Sequence, residues 1–282
     1  MSAAPVPSRP ASPPAVVQTL PAIRLGGVLL HAITEAQCVA HVEHELAAGR
    51  GGWIVTANLD HLRRLRTAAD FQACYAAADV AVADGMPLVW AARLQGTPLP
   101  ARVAGSDLIF SLSAMAGAGR RRVYFLGGDP GTAEAAAARL ATRSPGLVVA
   151  GTECPPFGFE RDPAQLAALR GRLAASRADV VFVALGSPKQ ELLIARLREA
   201  LPQAWWIGIG ISFSFVTGDV VRAPRWVQKL GLEWLHRLVQ EPRRLAKRYL
   251  VHGLPFAAWL FAAALRGRWT GAGRVGGSAD AV

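Results

Sequence analysis

The apolar run Val80–Ala83 ends on Asp84-Gly85. A lone carboxylate at a strand end can act as a general base if it reaches the proton of an attacking group, and a glycine beside it permits close backbone approach. The competing structural role for Asp84 is the N-cap of a helix opening at Met86-Pro87, which spacing alone favours. Thr56-Ala57-Asn58 closes another apolar run. Thr56 and Asn58 can hydrogen-bond a phosphate or a hydroxyl, and Asn58 equally suits a helix cap. Gly186-Ser187-Pro188-Lys189-Gln190-Glu191 follows the run VVFVAL. Here Lys189 suits a phosphate and Gln190 a sugar or base edge, while Ser187 and Gln190 also spell an S-x-x-Q capping box with Pro188 in the first turn.

Two further segments are less specific. Arg102 opens Arg102-Val103-Ala104-Gly105-Ser106-Asp107 and can pair with a phosphate, with Asp84, or with an ordinary surface acid. Leu126-Gly127-Gly128-Asp129-Pro130-Gly131 can turn the backbone amides of Gly127 and Gly128 toward an anion at a helix N-terminus. It matches neither G-x-G-x-x-G nor G-x-x-x-x-G-K-[ST], so the dinucleotide and P-loop fingerprints are both missing. No G-x-S-x-G motif and no Cys/His nucleophile context occurs, and the six histidines show no HExxH or similar spacing, so no protein-bound metal is expected.

The segment Arg222–Tyr249 carries eight basic and two acidic side chains, +6 of the chain's net +11. Its arginines Arg237, Arg243, Arg244 and Arg248 are suited to bidentate binding of a diphosphate. Trp226, Leu230, Trp234 and Leu238 recur every fourth residue, which reads first as a packing stripe. So basic a segment favours a polyanion, an anionic membrane surface, or both.

Strand-like runs alternate with amphipathic helical patterns from Val28 to Gly208, which predicts an α/β fold: a Rossmann-like, mostly parallel sheet with helices on both faces. Ligands in such sheets bind beyond the carboxyl ends of the strands, where the loops above fall. One long helix is expected over Leu59–Ala77. The chain divides into a Pro-rich disordered leader (1–22), a catalytic body (23–219), a basic helical appendage (220–266) and a flexible tail (267–282). With 52% hydrophobic and 18% charged residues it cannot be disordered throughout. Three cysteines without CxxC spacing suit a reducing compartment, and the leader lacks the pattern of a signal peptide. The best apolar run, Leu254–Leu265, is too short to cross a bilayer and is suited to lying in the interface or packing on the body.

Taken in order, these segments resemble the WecG/TagA/CpsF glycosyltransferases (glycosyltransferase family 26). The matching motifs are T-A-N at 56–58, A-D-G-M-P at 83–87, R-V-A-G-S-D at 102–107 and F-L-G-G at 125–128. They continue with P-P-F at 155–157, G-S-P-K-Q-E at 186–191, R-A-P-x-W from 222, and G-L-E-W-L-x-R-L-x-x-E-P-x-R from 231 to 244. The resemblance implies inverting, metal-independent transfer of a sugar from a UDP-sugar to a polyprenyl-diphosphate-linked saccharide in bacterial surface-polysaccharide assembly. It places the enzyme peripherally at the cytoplasmic face of the plasma membrane and leaves a homo-oligomer open. It assigns Asp84 as base, Thr56 beside the donor phosphates, Gln190 as an active-site residue, and the appendage arginines to a diphosphate. Where the family often has F-D-F, this chain has Phe213-Ser214-Phe215. The donor sugar therefore stays open among N-acetylmannosamine, its uronic acid and a hexose such as glucose.

Two other classes compete. A nucleic-acid-binding protein would account for the basic segment, but no RNP or helix-turn-helix signature supports it and the strand-end loops would have no role. A nucleotide-dependent oxidoreductase would need the missing glycine fingerprint.

Overall fold

The computed structural model of the protein describes residues 20–271, apart from residue 230, together with residue 273. Its centre is a six-stranded sheet of β3 (Gly52–Ala57), β4 (Val80–Ala83), β5 (Arg122–Gly127), β6 (Val148–Glu153), β7 (Val180–Ala184) and β8 (Trp205–Gly208). All its pairings are parallel, in the order β4-β3-β8-β7-β5-β6. A separate antiparallel hairpin, β1 (Ala22–Leu25) and β2 (Val28–His31), precedes it.

Period-two alternation decides what each strand buries. Ile54, Phe125, Phe182 and Ile207 point into one apolar layer, whereas Trp53, Tyr124, Val181 and Trp206 point into the other. Both faces are therefore covered, which explains the unbroken apolar runs of β3, β7 and β8. The first layer is closed by α1 (Glu35–Ala47), α5 (Gly105–Ala118), α6 (Thr132–Arg143) and α9 (Ser212–Thr217). The second is closed by α3 (Ala69–Ala76), α7 (Pro163–Ser176) and α8 (Lys189–Leu197). Thr34 caps α1 in the reciprocal Thr34–Gln37 arrangement.

Several sequence expectations need correction. The first strand starts at Ala22, the last residue assigned to the leader, and residues 1–19 lie outside the described residues. The single helix expected over Leu59–Ala77 is two, α2 (Leu59–Arg64) and α3. Leu62 and Phe71 are both buried but nine residues apart; on one continuous helix they would lie two and a half turns apart and face opposite ways.

Beyond Val220 the described chain is helical. It comprises α10 (Arg225–Lys229), α11 (Glu233–Gln240), α12 (Pro242–Ala246), a π-helical stretch (Lys247–Gly253) and α13 (Leu254–Thr270). Gly231, at φ +71°, breaks the tryptophan stripe between α10 and α11, and a Cβ there would collide with Met86 and Trp90. Leu230 lies outside the described residues. The helix from Lys247 to Thr270 spans 24 residues and, by length and composition alone, is long and apolar enough to cross a membrane, unlike the run Leu254–Leu265 judged by itself. One of its faces is taken: Leu260 and Ala264 are buried in a third core with Leu88, Ala91 and Ala92 of α4 (Met86–Gln95) and Leu25 and Leu30 of the hairpin. The tail expected from residue 267 is still helical to Thr270, while residues 272 and 274–282 lie outside the described residues.

Candidate active site

The carboxyl ends of β3, β4, β7 and β8 open onto one cleft of about 680 Å³, roofed by the segment beyond Val220. Asp84 sits on its floor at the end of β4. Its backbone N–H donates to Ala57 O at 2.6 Å, and the Val103 N–H donates to Ala83 O at 2.8 Å, which fastens the Arg102 segment beside it. The side chain does not cap the following helix: Gly85 holds the cap position at φ 125° and no side chain caps α4. Burial pushes the Asp84 carboxyl up to about 6, against the pull of Arg102 and with the help of Glu233 and Asp107.

Arg102 does not pair with Asp84. It donates to Asp107 Oδ2 at 2.8 Å and to Glu233 Oε2 at 3.1 Å. Arg222 binds the same two acids, at 2.5 Å to Asp107 Oδ1 and 3.3 Å to Glu233 Oε1. Two arginines and two carboxylates thus form a neutral clamp, one arginine and one acid from each side of the cleft. None of the four side chains is more than 28% exposed, so the clamp is better shielded than an open surface pair.

Thr56 is buried at the end of β3 and lines the cleft. Gly105 opens α5 against it; a Cβ there would press on Gly208 O and on Thr56 Oγ1. Asn58 takes its structural role, accepting from the Asp60 and His61 amides at 3.0 and 3.1 Å as the cap of α2, and its residue still lines the wall. Gln190 is buried, with Oε1 accepting from Gly210 N at 3.0 Å and Nε2 donating to Glu191 Oε1 at 2.8 Å. Because its amide is drawn to these partners, the expected capping box does not form. Pro188 takes the cap position after a cis Ser187–Pro188 bond, and the Ser187 Oγ has no partner among the described residues. Lys189 lines the cleft, 3.2 Å from Glu160 Oε1 and 4.2 Å from the Phe157 ring centre.

Cations reach the same space from both sides. Arg237 of α11 and Arg248 of the π-helical stretch line it, as does Arg63 of α2, which the sequence reading missed. Asp60 organises part of this set, lying 2.9 Å from Arg63, 2.9 Å from Arg64 and 3.5 Å from Arg248. Burial alone would raise the Asp60 carboxyl; the three arginines outweigh it and hold it below its usual range. Arg237 Nε and Arg248 Nε are enclosed without a hydrogen-bond partner among the described residues. The i, i+3, i+4 spacing of Asp60, Arg63 and Arg64 was the available signal for this group. The apolar part of the wall comes from Trp90, Trp234, Leu254, Ala257 and Phe261.

Gly127, Gly128 and Arg243 lie elsewhere. Gly127 and Gly128 pack closely, at φ 95° and 82°, where side chains would strike Ala184 and Thr132, and neither lines the cleft. Arg243 is exposed outside the cleft, and the side chain of Arg244 lies outside the described residues. Among the described residues, no group of three or more His, Cys, Asp or Glu side chains is placed to hold a metal ion.

Residues 23–270 match the family model described as "Glycosyl transferase WecG/TagA/CpsF family". The chain is also 36% identical, over 207 residues, to the N-acetylglucosaminyldiphosphoundecaprenol N-acetyl-beta-D-mannosaminyltransferase of Bacillus spizizenii (strain ATCC 23059 / NRRL B-14472 / W23). That match covers 73% of this chain and 78% of the relative. The protein belongs to the WecG/TagA/CpsF glycosyltransferase family.

Proposed function

We propose that this glycosyltransferase moves a sugar from a UDP-sugar to N-acetylglucosamine carried on a polyprenyl diphosphate, inverting the anomeric centre and using no metal ion. One observation carries the reading: a strand-end carboxylate with a raised proton affinity, Asp84, shares a cleft with arginines from both the body and the appendage.

Asp84 takes the proton of the acceptor hydroxyl as that oxygen attacks the anomeric carbon and the bond to UDP breaks. A carboxyl titrating near 6 is a stronger base than an ordinary one and is still mostly ionised at neutral pH. The departing UDP keeps the bonding electrons, and the cations of the cleft offset that charge. Attack opposite the leaving group inverts the centre, giving a β product from an α-linked donor. Thr56 and Gln190 sit where they can hold the donor diphosphate; Arg237 and Arg248 can hold that of the acceptor.

The acceptor follows from the relative, whose name states N-acetylglucosaminyldiphosphoundecaprenol. The same name makes N-acetylmannosamine the first donor sugar to test. The aromatic and aliphatic wall suits a lipid leaving the cleft. Exposed Val221, Trp226, Val239, Val251 and Trp269, with exposed Arg243, support peripheral binding to the anionic inner face of the plasma membrane.

The test is UDP release from a panel of UDP-sugars, with and without a polyprenyl-diphosphate N-acetylglucosamine, in buffer and in EDTA. Acceptor-dependent release with one donor, unchanged by EDTA, is expected. Release abolished by EDTA and restored by a divalent ion would refute the metal-free step; no release with any donor would refute the reading itself.

A further inference from the structure

We propose that Glu191 is a positioning residue: it fixes the side-chain amide of Gln190 so that an N–H, rather than the carbonyl, faces the ligand in the cleft. The ligand class rests on the reading above, a donor diphosphate or another oxygen acceptor; the orientation itself does not.

A primary amide offers two N–H donors and one oxygen with two lone pairs. Gly210 N–H can only donate, so it selects the Gln190 oxygen, at 3.0 Å. The Glu191 carboxylate can only accept, so it selects the Gln190 nitrogen, at 2.8 Å. The two partners therefore specify the same orientation from opposite ends. The amide lies against the end of β8, where a Cβ on Gly208 would collide with it. The second Nε2 hydrogen has no partner among the described residues, and Gln190 is part of the cleft wall.

Glu191 has no other evident purpose in the fold. It is 4% exposed, on a helix whose neighbouring inward positions are Leu193 and Ile194. Its nearest cation candidate is His61 Nε2 at 3.8 Å, and burial lowers the proton affinity of that imidazole despite the pull of Glu191 and Asp60. Glu191 Oε2 and His61 Nδ1 have no partner among the described residues. A side chain buried with one polar oxygen unpartnered costs stability that an apolar residue of similar size would not. Orienting the adjacent amide is the property such a residue would lack.

The experiment compares E191M, which keeps the volume and removes the acceptor, with E191Q, which keeps an acceptor. In the free protein, hydrogen exchange at the Gly210 amide should quicken at least ~10-fold in E191M and stay within ~3-fold of wild type in E191Q. With substrates, kcat/KM for the donor should fall ~10-fold in E191M and within ~3-fold in E191Q, and E191M should add nothing in a Q190A background. Unchanged Gly210 exchange in E191M overturns the proposal, as do losses that add in the double variant. Absence of turnover in the wild type would instead count against the proposed activity, and the exchange comparison would still decide the role of Glu191.

Discussion

The two walls of the cleft are built on different physical terms. The body wall is set by backbone: parallel strands deliver Thr56, Asp84 and Gln190 from fixed ends, and glycines at 105 and 208 let them pack within van der Waals reach. The appendage wall is set by side chains. Short helices joined at Gly231 are held to the body by the four-charge clamp and by the α13–α4 core, and they leave Trp226, Val239, Val251 and Trp269 uncovered. A wall made by a sheet suits the group that must be aligned with a reacting atom; one made by ion pairs and exposed aromatics suits a diphosphate and a lipid surface.

The largest expected effect separates the walls most sharply. Asp84→Asn should cut turnover by about 10²–10⁴ with UDP affinity unchanged. It should also stabilise the protein. A folded-state carboxyl raised to about 6 stays protonated while the unfolded chain ionises near 3.8, so stability falls from pH 3.8 to 6 and the deficit persists above. Removing it should add ~1–3 kcal/mol at pH 7, measured by urea unfolding. A variant both slow and less stable would contradict this. In the wild type, kcat/KM should rise as pH passes through about 6, since only the ionised carboxylate accepts a proton.

The appendage wall should fail differently. Arg237→Ala with Arg248→Ala should raise the acceptor KM by ~10–100-fold while UDP binding holds, read by acceptor titration at saturating donor. Equal loss of donor binding would place those arginines on the leaving UDP. Leu260→Ala should cost ~2–4 kcal/mol, because its side chain is fully buried against the body. No change in unfolding would mean that α13 is not docked there in solution.

The clamp joins the two walls, and its effect is subtler. Glu233→Gln removes a negative charge that resists ionisation of Asp84, so the acid limb of the pH profile should move below 6, with acceptor KM rising a few-fold. An upward or absent shift would show that the clamp does not communicate with Asp84. The smallest effect belongs to exposed Arg243: its change to Ala should weaken association with anionic liposomes by ~2–5-fold and leave soluble-acceptor turnover within error.

The body was largely legible in the sequence because unbroken apolar runs and strand-end polar motifs are local signals. Trp205–Gly208, Val80–Ala83 and the loops after them follow from neighbours in the chain. Competing local roles sorted both ways. Asn58 does cap its helix, while Asp84 and Ser187 do not, because Gly85 and Pro188 take those positions. The appendage was legible in charge but not in arrangement. Arg102 and Glu233 are 131 residues apart, and Arg222 and Asp107 are 115 apart, so no spacing rule could pair them. The glycine at 231 that breaks the tryptophan stripe gives a local cue, but its contact with Trp90 is again tertiary. Gly127 and Gly128 show the converse: a glycine pair that could turn its amides toward an anion serves close packing instead.

The most direct test of the account is the anomeric configuration of the lipid-linked disaccharide formed from the donor that reacts, assigned by NMR. Single displacement by a hydroxyl that Asp84 deprotonates predicts a β linkage from the α-linked UDP-sugar, with one UDP released per product. An α linkage would require a second displacement or attack from the leaving-group face, and would contradict the assigned role of Asp84.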